Sequence, residues 1–154
     1  MFKIYQKYLI NNFLIKFLNL SLIFFSLIYI LSILEEITFL KDIETSFWYP
    51  YLLTFLSTPI TLFEIFPFIF LLSTQFLFYE LFKKKELILL KANGLNNLNI
   101  IKILFFLAFV IGIFNIVIYY NFASKLNFQY SNIKNKFSDD NKYLAMVTQS
   151  GLWI

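Results

Sequence analysis

The sequence predicts an all-α integral membrane protein with three transmembrane helices, and three observations carry that prediction. The 154 residues are 60% hydrophobic and only 14% charged, where an ordinary soluble domain is about 45–50% apolar and about 25% charged. Three stretches are each long enough to supply the ~20 apolar residues that cross a hydrocarbon core of ~30 Å. The lysines fall mainly in the segments that flank those stretches. With a mean hydropathy of +0.72, the chain has too little polar surface to cover a soluble core.

The first span is expected over about 13–34, interrupted only by Lys16 and a few small polar residues. Its apolar run is longer than the ~7–15 residues of a signal-peptide core, and no small-residue cleavage site follows, so it reads as a retained helix. The second lies between Tyr51 and Tyr79. Pro59 and Pro67 punctuate it, which predicts a short interfacial helix over Tyr51 to Thr58 and a span over about 59–79. Glu64 then falls in the first turns of that helix, where the dipole favours an anion. The third span is expected over about 100–120, closed by Tyr119 and Tyr120 at an interfacial level. Asn115 lies deep in it and is expected to bond across helices. Trp48 and Tyr49 read as interfacial anchors, and Lys16 and Lys102 as snorkelling cations.

Lysine counts set the orientation. Lys3 and Lys7 precede the first span, and Lys83, Lys84, Lys85 and Lys91 follow the second. The loop after the first span is mostly acidic, with Glu35, Glu36, Asp42 and Glu44 beside Lys41. The N-terminus and the second loop are therefore expected in the cytoplasm. Residues 1–122 form the membrane region, and 123–154 begin a translocated domain. Tyr143 to Ile154 reads as strand-like pieces around Ser150-Gly151, so a further domain is expected beyond Ile154.

Composition also excludes functions. All 13 basic residues are lysine, and there is no His or Cys. That removes disulfides and Cys/His metal sites, and no cofactor is implied. The lysines form no nucleic-acid stripe. With three glycines and no G-x-x-x-x-G-K-[ST] loop, the chain has no phosphate-binding loop of its own for ATP. No convergent acid, base or nucleophile set marks an enzyme.

The most informative segment runs from Glu80 to Gly94. It is rich in helix formers and stops at Asn93-Gly94, predicting a cytoplasmic helix over about 80–93. At ~100° per residue Glu80, Lys84 and Lys91 share one polar stripe, while Glu86 lies opposite with Phe82, Leu89 and Leu90. Two readings fit. In one, a solvated helix pairs Glu86 with Lys83 for ~0.2–0.5 kcal/mol. In the other, the Glu86 side docks into a soluble partner through a charge-assisted hydrogen bond.

Four motifs stand in order along the chain: Lys7-Tyr8, Ser57-Thr58-Pro59 with Phe66-Pro67, Glu86-Leu87 with Lys91-Ala92-Asn93-Gly94, and Ser150-Gly151-Leu152-Trp153. With these the chain resembles the N-terminal part of a lipopolysaccharide export permease of the LptF/LptG type. Lys7-Tyr8 resembles that family's Arg-Tyr pair before the first span. Ser57-Thr58-Pro59 and Phe66-Pro67 resemble the start of its second span. Glu86-Leu87 with Lys91-Ala92-Asn93-Gly94 resembles its coupling helix, and Ser150-Gly151-Leu152-Trp153 the opening strand of its periplasmic domain, in the G-type form. The resemblance implies a bacterial inner-membrane permease without an ATPase site of its own. Its partners would be a cytoplasmic ABC ATPase dimer, a second, F-type permease subunit, lipopolysaccharide or a related glycolipid, and periplasmic bridge proteins. The fold implied is three helices and a coupling helix leading into the first strand of a β-jelly-roll. Glu86, Leu87, Leu90 and Gly94 would contact the ATPase, and Lys16, Glu35, Glu36 and Lys41 would line the substrate cavity or its gate. One departure stands out. Where G-type members often carry cations suited to lipid phosphates, this chain has Glu35-Glu36. The alternative from another class is a small membrane scaffold subunit that transports nothing.

Overall fold

A computed structural model describes residues 4–41, 46–92 and 96–137, together with the backbone of residues 147, 148, 151 and 152. Helix α1 runs Ile4–Phe39, α2 Tyr49–Glu64, α3 Phe66–Lys83, α4 Glu86–Ala92 and α5 Asn97–Phe114. A π-helical turn, Asn115–Tyr119, leads into α6, Tyr120–Lys136. Strands β1, Val147–Thr148, and β2, Gly151–Leu152, make a two-residue antiparallel ladder that pairs Val147 with Leu152. Two helical stretches, Tyr5–Phe39 and Asn97–Lys136, are long and apolar enough to cross a membrane, and α2 with α3 makes a third if the pair is one broken span.

Large apolar side chains cover the outside of these helices. Leu22, Ile30, Leu34, Phe105 and Phe109 are all more than half exposed. A soluble monomer does not present apolar surface on this scale; helices apolar all round belong in lipid. The hydroxyls follow the same rule. Ser21, Thr38, Thr54, Thr58, Ser73 and Thr74 each donate to the carbonyl four residues earlier in their own helix. That satisfies them without water.

The chain forms two compact units. The first comprises residues 1–24 and 64–119. Its core takes Leu9 and Phe13 from α1, Leu77 and Leu81 from α3, and Ile100, Leu104 and Leu107 from α5. The i, i+4 and i, i+3 spacing puts each pair or trio on one helical stripe. Phe13 meets Phe70 at 4.9 Å and Phe17 meets Phe66 edge-on at 5.4 Å. The second unit comprises residues 25–63 and 120–154. There Phe63 packs on Tyr120 at 5.1 Å and Tyr49 on Phe137 at 5.2 Å.

Several helix limits differ from those read in the sequence. The second stretch does not break at Pro59, which lies inside α2. The break is at Ile65, where Pro67 occupies the first turn of α3, a position that needs no amide donor. Glu64 is therefore exposed at the end of α2 rather than in the first turns of a helix begun by Pro59. The polar run from Ala123 is helical through Lys136. Asn115 donates to Ile111 O in its own helix at 3.1 Å instead of across helices, and it opens the π-helical turn.

Candidate functional site

The segment that the sequence singles out lies in the first unit, where α3 gives way to α4. Helix α3 is closed by the amides of Lys84 and Lys85, which donate to Glu80 O at 2.9 Å and Phe82 O at 3.0 Å. Lys85 has φ 57°. A left-handed residue with a side chain costs roughly 1–2 kcal/mol, and this one separates α3 from α4. The helix expected over 80–93 is thus two pieces, and Glu86 opens the second.

Each carboxylate finds a partner on α1. Glu86 Oε2 accepts a 2.7 Å hydrogen bond from the Tyr8 hydroxyl. This replaces the local pairing with Lys83 that the solvated-helix reading anticipated. Glu80 accepts from Lys16 on one oxygen and from Lys84 on the other. The hydrogen bond to Glu80 raises the Lys84 ammonium above its usual pKa, with the carboxylate's charge adding to the effect. Lys16 is therefore more than a snorkelling cation: it ties α1 to α3 at the base of the unit.

Helix α4 has two faces. Leu87 and Leu90 turn inward against the core of Leu9, Leu81 and their neighbours. Ile88 and Leu89 point outward and are 64% and 61% exposed, and Phe82 is 79% exposed. Of the residues expected at an ATPase, Leu87 and Leu90 pack against this core, and the outward apolar side chains of α4 are Ile88 and Leu89. The sequence hid this because the break at Lys84-Lys85 resets the helical phase. Gly94 lies outside the described residues.

The residues assigned to a substrate cavity are spread over both units. In the second unit Glu36 is 3% exposed. Its Oε1 accepts from Tyr130 at 2.7 Å and from Lys134 Nζ at 2.9 Å, and Lys134 also donates to the Tyr130 hydroxyl at 2.5 Å. The Lys134 ammonium stands 4.7 Å over the Phe39 ring. Glu36 Oε2 is buried without a hydrogen bond among the described residues. Glu36 thus presents no bare charge at the end of α1, which weakens the expected repulsion of phosphate. Glu35 is exposed on the helix surface, and Lys41 borders a groove of about 330 Å³ with Phe47 and Tyr51. The sequence counts Lys134 only among the lysines of the tail, and Tyr130 carries no signal of its own. Their i, i+4 spacing was a usable signal only once the tail was known to be helical.

A family model for the lipopolysaccharide export system permease LptF/LptG matches residues 7–154. No curated protein and no solved structure matches the chain.

Proposed function

The chain belongs to the LptF/LptG family of lipopolysaccharide export permeases, and we propose that it serves as the membrane subunit of an ATP-driven exporter that takes its power through α4. The observation that carries this reading is the family match over nearly the whole chain. The form of α4 supports the mechanism. It is a seven-residue helix, seated on the core by Leu87 and Leu90 and tethered to α1 through Tyr8. A push on its outer face would reach α1 through a short, packed route rather than through a loose loop.

In this reading α4 lies on the cytoplasmic side, as the lysines around it direct. Ile88, Leu89 and Phe82 enter a greasy groove on an ATPase, and Glu86 meets a cation at its rim. A charge-assisted bond of that kind fixes register. Closure of an ATPase dimer would move α4 and, through Tyr8 and Glu80, the base of α1. A second permease subunit completes the pathway, and periplasmic bridge proteins accept the lipid. Residues from 123 onward lead toward a periplasmic jelly-roll.

The test is Glu86→Ala in the assembled complex, with ATPase co-purification and lipid-stimulated ATP turnover as readouts. Loss of retention, or retention with turnover uncoupled from lipid, supports the role. Unchanged retention together with unchanged stimulated turnover removes it.

A further inference from the structure

Along one side of the first unit, α1 and α5 leave an open groove of about 630 Å³. Its two ends differ in chemistry. Tyr5, Gln6, Asn99 and Lys102 stand at the N-terminal ends of the two helices. Beyond them the walls are apolar, from Ile10 on α1 and from Ile103, Phe106, Leu107 and Val110 on α5. From Asn99 to Val110 the helix climbs ~16 Å at ~1.5 Å per residue, about half of a ~30 Å hydrocarbon core. The groove is therefore one leaflet long, polar at the water end and greasy toward the middle of the membrane.

Lys102 supplies the charge. It is exposed, and no carboxylate pairs with it among the described residues, whereas Lys16, Lys84 and Lys134 are each held by a glutamate. An unneutralised cation at headgroup level above an apolar trough complements an anionic amphiphile. We propose that this groove holds an anionic phospholipid of the cytoplasmic leaflet, with its phosphate on Lys102 and an acyl chain along Ile103, Phe106 and Val110. The Asn99 and Gln6 amides border the same end and suit the glycerol and phosphate oxygens. The ligand is a structural lipid at the base of α1, separate from the exported glycolipid. Its placement in the cytoplasmic leaflet rests on the orientation proposed above; the binding chemistry does not.

The experiment uses the full chain in nanodiscs of equal phosphatidylglycerol and phosphatidylcholine with matched acyl chains. The protein is extracted in neutral detergent, and retained lipid is counted by native mass spectrometry. The parent should retain phosphatidylglycerol in preference to phosphatidylcholine. Lys102→Gln should lower that preference about fivefold, the effect of one cation near an anionic surface. Lys102→Arg should keep it. Val110→Trp, which fills the trough, should reduce retention of both lipids, and Lys125→Gln, on an exposed site in the other unit, should change nothing. Equal retention of the two lipids by the parent, or an unchanged ratio in Lys102→Gln, overturns the proposal. The latter result would assign the trough to a transmembrane helix of a partner. Orientation is read separately, by labelling Asn97→Cys with a membrane-impermeant maleimide, so failure of topology and failure of the lipid site are distinct outcomes.

Discussion

Removing the ammonium of Lys134 should destabilise the second unit more than any other single change of charge. Its Nζ lies 2.9 Å from Glu36 Oε1, and the two residues are 8% and 3% exposed. Lys134→Met keeps the stem that covers Phe39 but leaves a buried carboxylate with only the Tyr130 hydroxyl. Breaking a buried pair from one side costs about 3–5 kcal/mol, because the surviving charge stays desolvated. Glu36→Gln is milder, since the amide oxygen can still accept from Tyr130; the lost charge-assisted bond amounts to about 1.5–3 kcal/mol. The combined Glu36→Leu and Lys134→Met change removes both charges at once. It should fall within ~1 kcal/mol of the parent, as apolar replacement of a buried pair is often neutral. The singles Glu36→Leu and Lys134→Met with the double variant form a cycle with a coupling of at least ~2 kcal/mol. The assay is unfolding of purified protein in mixed micelles with increasing dodecyl sulfate, followed by far-UV circular dichroism. A Lys134→Met variant within ~0.5 kcal/mol of the parent, or a double variant equal to the sum of its singles, would refute the reasoning.

Four further outcomes follow from the α3–α4 region. Tyr8→Phe deletes the hydrogen bond to Glu86 and should cost about 1 kcal/mol in the same unfolding assay; no change would show that α4 is held by Leu87 and Leu90 alone. Leu87→Ala should lower stability by about 1–2 kcal/mol, less than a fully buried leucine. Ile88→Ala should lie within ~0.5 kcal/mol of the parent yet reduce ATPase co-purification; the reverse pattern would mean that α4 is turned the other way. The Lys84 ammonium is raised by its bond to Glu80. Its contribution is therefore complete below the ordinary lysine pKa and is lost as pH rises through the higher folded value. Stability should accordingly show no Lys84-dependent change between pH 6 and 9, and the difference between the parent and Lys84→Met should shrink only above about pH 10. A parent–variant difference that already shrinks between pH 6 and 9 would contradict the pairing.

How legible was this in the sequence? Two long apolar helices and a third, broken candidate were, because hydrocarbon demands long apolar runs and Phe17–Leu34 contains no charge at all. The break in the second stretch was misplaced because Pro59 and Pro67 give the same local signal. Pro67 falls in a first turn where its missing amide is no loss. Pro59 lies inside a helix in which the Thr54 and Thr58 hydroxyls bond carbonyls one turn back. The turn at Lys85 was invisible, since a lysine run carries no sign of a left-handed residue and no glycine marks it. That one residue decided which leucines faced inward, so the inner and outer faces of α4 could not be read from periodicity. The partners of Glu36 and Glu80 on distant helices lay beyond any local rule, being 98 and 64 positions away.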